Sequence, residues 1–307
     1  LWLASSRTES SARTVSVRVR FPHGLMTEWY PPATVTPVAV DRNALRQADQ
    51  RSVIDWPSVR VTPGTTPRFP VGQGASHYYA ARNTDAAPIL VNNQTERFLF
   101  YRGVASFDVP LAAVALGSDS VRVRTLGQDE IPGAILFENR HGAIGYRVLG
   151  ALRRDVTVAT PPAGRAVADV RRELEGMLVS GGLYPKEARA MVDTWRDSWF
   201  EDGTRVFYIV PRRAVDAILP LTITPAPDSI ARVFVGRMEV ITPDIERSVQ
   251  KAIASNDSAE LQRYGRFLAP ITDRILAKAP AAIDKQRLDA LTSALFDSYR
   301  KRVSACE

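Results

Sequence analysis

The apolar periodicity of this chain changes once, and that change constrains the fold more than any other feature of the sequence. Up to about residue 160, short apolar segments recur at intervals of roughly ten residues and are separated by Asn, Asp, Gly and Pro. After residue 166, apolar residues recur at helical spacing. A series of short strands followed by helices indicates an α+β protein.

The clearest strand is the segment "VSVRVRF". Its apolar side chains occupy every second position, at Val15, Val17, Val19 and Phe21. The segments "SHYYAARN", "APILVNN", "ERFLFYRGV" and "VRVRTLG" extend the strand pattern, and "GAILFENRHGAIGYRVLGAL" predicts a hairpin with a four-residue turn at 139–142. We therefore expect an N-terminal antiparallel β-sandwich or barrel-like domain over residues 1–160.

The segment "TPPAGRA", residues 160–166, is the predicted domain boundary because two prolines and a glycine interrupt the pattern. A helix is predicted from 167 until Gly181, and a second from Pro185 to about residue 200. Trp195 and Trp199 are four residues apart, so we expect both on the buried face of that second helix. Residues 161–307 would form a helix-rich domain.

Three strands are also predicted within this second domain, near 204–210, 219–224 and 230–241. The last of them could join the sheet of the first domain or build a small sheet of its own. Beyond it, Thr242 is a good helix cap, a helix over 257–278 should bend or split at Pro270, and a terminal helix is expected over 282–302.

The basic character of the chain does not indicate specific nucleic-acid binding. The formal net charge is +7, and only five of the 40 basic residues are lysine. The arginines are scattered among 33 acidic residues rather than gathered in one tract, which gives only weak, salt-sensitive attraction to a polyanion. No apolar run approaches the roughly 18 residues of a membrane helix, so no transmembrane segment is expected.

The inventory of metal and cofactor ligands is poor. Cys306 is the single cysteine, so no intrachain disulfide can form, and only three histidines are present. Phosphate-loop and dinucleotide fingerprints are absent, as are the HExxH, paired CxxC and GxSxG motifs. We expect neither a cofactor nor a transition-metal site.

The aromatic residues of two segments are the candidate binding residues. Glu28 precedes Trp29 and Tyr30, a grouping that glycan-binding sites use because a flat ring packs on a sugar face while a carboxylate takes its hydroxyl groups. The second segment contributes three further candidates, which are Tyr78, Tyr79 and Arg82. The sequence favours a non-enzymatic binding or structural protein whose partner is a protein or a glycan.

The alternative is a hydrolase, with or without a metal, built on His77. A histidine beside an acid can act as a general base, and Glu28 or Asp85 could supply that acid. A lone histidine is more often a hydrogen-bonded structural residue. The enzyme hypothesis requires His77 and one of these acids to meet in one pocket.

Three segments resemble parts of an uncharacterised family of bacterial proteins. These are "TEWYPP", "FLFYRG" and "TWRDSWFEDGTRVFYIVPR", which occur in a similar order, and the likeness covers the chain from about Val15 to Ile241. The resemblance carries no activity and implies a bacterial origin and export. The opening "LWLASS" could be the end of an apolar signal segment, but three apolar residues do not by themselves support secretion. The periplasm or secretion is slightly favoured over the cytoplasm.

Overall fold

A computed structural model of the protein describes residues 1–4, 11–37, 51–70 and 77–278, with four single positions between 286 and 293. Apart from those four positions, the predicted terminal helix over 282–302 lies outside the described residues.

The described residues contain fifteen strands and seven α-helices. The strands are β1 (Arg13–Phe21), β2 (Gly24–Tyr30), β3 (Thr34–Thr36), β4 (Ser52–Val61), β5 (Ile89–Val91), β6 (Gln94–Glu96), β7 (Phe100–Ala105), β8 (Leu111–Leu116), β9 (Ser120–Thr125), β10 (Ile131–Arg140), β11 (Ala143–Leu152), β12 (Val156–Ala159), β13 (Gly203–Ile209), β14 (Leu221–Thr224) and β15 (Val235–Val240). The helices are α1 (Val167–Ser180), α2 (Pro185–Thr194), α3 (Arg196–Trp199), α4 (Arg212–Ile218), α5 (Pro243–Ser255), α6 (Ser258–Arg263) and α7 (Leu268–Lys278). The α+β class and the strand-rich N-terminal part are confirmed.

The largest sheet has the order β14-β1-β4-β5-β6, with β3 also paired to β4. Val17 and Val19 of β1 are fully buried, Phe21 is nearly so, and the intervening Arg18 and Arg20 are exposed. The alternation predicted for this strand is confirmed. Its buried side chains pack with Trp56 and other residues of the neighbouring strands in one hydrophobic core.

A second sheet, β11-β10-β13-β15, is covered on both faces. One face presents Leu136 and Val206 to a core shared with the three-stranded sheet β12-β9-β8. The other face presents Phe137 and Phe207 to helices α1 and α2. Every residue of β13 is buried as a result.

Two strands from beyond residue 160 pair with strands from before it. Strand β14 pairs with β1, and β13 pairs with β10. The strand predicted over 230–241 is shorter, Val235–Val240, and it pairs with β13 in the second sheet. The division into two domains at residue 160 stays a prediction. Two sheets each contain hydrogen-bonded strands from both sides of that residue.

The helix predicted from Pro185 to residue 200 is interrupted. Helix α2 ends at Thr194, Trp195 leaves helical geometry with φ −102° and ψ 7°, and α3 follows. Trp199 is buried, and the partly buried Trp195 packs against the same core. The prediction that both indoles pack inward is confirmed, although Trp195 lies between the two helices and Trp199 ends the second.

Three further predictions are corrected. The segment "SHYYAARN" forms a 3-10 helix, His77–Arg82, where a strand was expected. The turn of the β10–β11 hairpin is two residues, with His141 at φ 53° and Gly142 at φ 87°. The helix over 257–278 breaks near Gly265, at φ 53°, rather than at Pro270; a proline in the first turn of α7 removes no helical hydrogen bond.

None of the helices among the described residues is both long enough and apolar enough to span a membrane.

Candidate functional site

An open groove of about 680 Å³ runs beside the 3-10 helix. We call it the arginine groove. It lies where the 3-10 helix meets the end of α2 and the start of α3. Its lining residues are Phe69, Tyr79, Ala80, Arg82, Asn83, Arg97, Asp193 and Arg196.

A buried ion pair holds the groove wall in place. Arg82 Nε donates to Glu96 Oε2 at 3.0 Å, and Arg82 Nη2 donates to the other carboxylate oxygen. The Glu96 side chain is fully buried and that of Arg82 is 10% exposed. Tyr30 donates its hydroxyl to Glu96 at 2.9 Å, and burial together with this carboxylate raises the pKa of Tyr30. Glu96 therefore joins a predicted binding residue on β2 to one on the 3-10 helix.

Two aromatic rings flank the Arg82 guanidinium. Its central carbon lies 3.7 Å from the centroid of the Tyr79 ring and 4.9 Å from that of Phe69. A guanidinium held over a ring face fixes the ring and is attracted by its quadrupole. The groove thus combines flat apolar surfaces with hydrogen-bond donors, which is the composition of a ligand-binding surface.

The remaining charged residues give the groove a positive excess. Arg97 donates from Nη1 to the Thr84 carbonyl at 2.5 Å. The side chain of Arg196 is 57% exposed, and its Nε lies 3.5 Å from Asp197. Asp193, the one acid of the lining, is paired with Arg171 from α1. Besides Arg82, the lining thus contains an exposed cation, Arg196, and a partly buried one, Arg97.

Other predicted binding residues lie beside the groove rather than in its wall. Tyr78 donates to Glu28 Oε2 at 3.1 Å, and Arg102 Nε lies 2.6 Å from the same oxygen. The Tyr78 ring packs on Phe100, with centroids 4.5 Å apart. Trp29 is partly buried and packs against the core of the largest sheet. Tyr78 thus connects the 3-10 helix to Glu28 of β2 and to Phe100 of β7.

Each of the two acids considered as a partner for His77 contacts another residue. Glu28 is engaged by Arg102 and Tyr78, whereas the exposed Asp85 pairs with Lys186 of α2 at 2.6 Å. His77 opens the 3-10 helix. Catalysis by His77 with either acid stays a prediction.

Sequence reasoning identified two of the eight lining residues, Tyr79 and Arg82. Asn83 directly follows Arg82, whereas Phe69, Arg97 and Arg196 come from segments without a predicted binding residue. The signal available was local: Arg196 lies in the segment rich in aromatic and arginine residues that begins at Thr194. Only the packing of α2 against the 3-10 helix places it near Tyr79.

Within the described ranges, no group of three His, Cys, Asp or Glu side chains is arranged to hold a metal ion. Comparison with known proteins finds no match among family models, curated proteins or solved structures. The resemblance to a bacterial family, with the origin and export that it implies, stays a prediction.

Proposed function

We propose that this protein is a non-enzymatic binding protein and that the arginine groove captures an acidic glycan. The observation that carries the proposal is the placement of Arg97 and Arg196 beside the fixed rings of Tyr79 and Phe69. The rings suit the C–H faces of a sugar, and the guanidinium groups suit its carboxylates.

The size of the groove suits a ligand that stays partly exposed to solvent. The groove is open and has a volume of about 680 Å³, which is within the usual range for ligand pockets. Asn83 adds an amide that can both donate to and accept from hydroxyl groups. An acidic peptide shares the charge but makes less use of the flat rings.

Isothermal titration calorimetry with three ligands of similar length tests the proposal: oligogalacturonate, a neutral maltooligosaccharide and the acidic peptide hexaglutamate. We expect oligogalacturonate to bind saturably, a neutral maltooligosaccharide to bind far more weakly, and the binding of oligogalacturonate to weaken at high salt. Arg196→Gln and Arg97→Gln should each lower the affinity by about tenfold or more, since each loses a charge-assisted hydrogen bond.

Arg213→Gln is the matched control, because Arg213 is exposed and lies outside the groove lining. It removes the same charge and should leave binding unchanged. Melting temperatures of all variants show whether Arg97→Gln disturbs the fold through its contact with Thr84. Tight binding of hexaglutamate without binding of the saccharide would indicate an acidic protein partner and not a glycan. Equal binding by all variants would show that the arginine groove is not the binding site.

A further inference from the structure

A second cleft, of about 210 Å³, lies at the turn of the β10–β11 hairpin. We call it the hairpin cleft. The turn contributes Arg140 and His141, the segment before β13 contributes Asp202, and α5 contributes Asp244 and Ser248. At about 30 Å³ per molecule of liquid water, the cleft has the space of roughly seven waters, which suits a small molecule and not a polymer.

Basic and acidic side chains face each other across this cleft at long distances. Arg140 Nη1 lies 3.7 Å from Asp244 Oδ2, and His141 Nδ1 lies 3.4 Å from Asp202 Oδ2. The Arg140 and His141 side chains are 49% and 57% exposed. Because a good charge-assisted hydrogen bond is 2.7–2.9 Å long, neither pair is closed tightly.

Three of these four side chains, Arg140, Asp202 and Asp244, are held in place by a second contact. Arg140 Nη2 donates to the nearly buried Glu138 at 2.9 Å, and Arg263 Nε lies 2.5 Å from Asp202. Asp244 is also paired with Arg247. The cleft thus presents one guanidinium and two carboxylates whose positions do not depend on the pairs across it. His141 lies 3.4 Å from Asp202 and 3.7 Å from Glu260.

The hairpin turn itself is fixed. Asn139 Oδ1 accepts from the Gly142 backbone N–H at 2.8 Å, and Asn139 Nδ2 donates to the Phe200 carbonyl at 2.8 Å. These two bonds tie the turn to the segment that carries Asp202. A ligand therefore meets donors and acceptors that are already in position, which lowers the entropic cost of binding.

We propose that the hairpin cleft binds a small zwitterion of the free α-amino acid class. The carboxylate of the ligand accepts from Arg140 and His141, and its ammonium group donates to Asp202 and Asp244. The two loose contacts across the cleft are replaced by contacts with the two ends of the ligand. An anion alone would contact the donors of Arg140 and His141 and make no favourable contact with Asp202 and Asp244. A cation alone would contact the two carboxylates and make no favourable contact with Arg140. This inference does not depend on the glycan proposal, since the two sites share no lining residue.

Isothermal titration of the intact chain with L-alanine, L-serine and L-glutamine tests the inference. We expect saturable 1:1 binding of at least one of them at millimolar concentrations or below. For the amino acid that binds, the N-acetyl derivative lacks the ammonium group and the amide lacks the carboxylate. Each derivative should bind about tenfold more weakly or worse, because each loses charge-assisted contacts.

Variants then locate the site. Arg140→Gln and Asp244→Asn should each weaken binding by about tenfold or more, while Arg122→Gln, an exposed arginine of β9 outside the cleft, should not change it. Melting temperatures close to that of the parent protein confirm that the variants are folded. The inference is wrong if no zwitterion binds saturably, if the derivatives bind as well as the parent amino acid, or if folded Arg140→Gln and Asp244→Asn proteins bind it unchanged.

Discussion

Arg82 and Glu96 form a two-point ion pair behind the arginine groove, with Nε to Oε2 at 3.0 Å and the Glu96 side chain fully buried. Tyr30 adds a third contact to the same carboxylate. The wall of the proposed binding site is therefore built from β2, β6 and the 3-10 helix at once.

Removing one partner of this pair should be costly. Arg82→Met leaves the buried carboxylate of Glu96 without its cation, and we expect the free energy of unfolding to fall by about 3–5 kcal/mol. The double variant Arg82→Met with Glu96→Leu removes both charges and should recover part of that loss. Urea unfolding followed by fluorescence measures both values.

The exposed pair of Arg18 and Asp55 provides the comparison. Its side chains are 58% and 24% exposed, so Arg18→Met should cost about 1 kcal/mol or less. If Arg82→Met lowers the free energy of unfolding no more than Arg18→Met does, the ion pair of Arg82 and Glu96 does not stabilise the groove wall.

Arg205 should not tolerate replacement by lysine. It is fully buried, lies 2.9 Å from Glu239, and donates to the carbonyls of Trp199, Glu201 and Asp202. A lysine keeps the charge but cannot reproduce this fork of donors, so we expect Arg205→Lys to lower the free energy of unfolding by about 3–5 kcal/mol. Arg172→Lys, at a side chain that is 70% exposed, should change it by about 0.5 kcal/mol or less. Similar values for the two variants, measured by chemical denaturation, would contradict the structural role assigned to Arg205.

The same substitution should have opposite effects at two glycines. A Cβ at Gly236 would lie 2.2 Å from Cζ of Tyr208, its partner across β13 and β15, so Gly236→Ala should destabilise the fold by about 1–3 kcal/mol. A Cβ at Gly176 in α1 meets open space, and alanine is the better helix former, so Gly176→Ala should stabilise by up to about 1 kcal/mol. Thermal unfolding shows whether each substitution lowers or raises the melting temperature. A higher melting temperature for Gly236→Ala would contradict the packing of Gly236 in β15 against Tyr208.

Tyr208 should make the fold sensitive to alkali. Burial raises the pKa of Tyr208 to about 12, above the value of about 10 for an unfolded tyrosine. The folded state therefore keeps the hydroxyl proton of Tyr208 to a higher pH than the unfolded state does. The contribution of this group to the free energy of unfolding is present below pH 10 and is lost as the pH rises towards 12. We expect Tyr208→Phe to reduce the loss of unfolding free energy between pH 9 and 11 by about 1 kcal/mol. Tyr184→Phe, at a residue that is 64% exposed, should leave that loss unchanged, and identical pH profiles for both variants would argue against a buried Tyr208 hydroxyl.

Elements with a regular pattern were predictable from the sequence. The alternation at Val17 and Val19 identified β1, and the apolar runs around His141 identified the β10–β11 hairpin, because burial of one face imposes a period of two. The 3-10 helix was not predictable in this way. Its six residues are too few to show a period, and adjacent tyrosines suit a strand as well as a short helix.

The candidate site was predictable only in part. Tyr79 and Arg82 were identified because they lie close together in the sequence, and both line the groove. Arg97 and Arg196 reach it through the pairing of strands and the docking of α2, and such contacts leave no mark in local sequence. The pairing of Arg82 with Glu96 is of the same kind, since nothing in the spacing of the two residues selects that acid.

Hydrogen exchange of backbone amides with and without saturating oligogalacturonate tests the central claim most directly, because it reports where on the chain the ligand is held. We predict slower exchange over residues 77–83 and around Asp193 and Arg196, with the β10–β11 turn unchanged. Unchanged exchange in both of those segments, or protection confined to another part of the chain, would contradict the assignment of the arginine groove as the binding site.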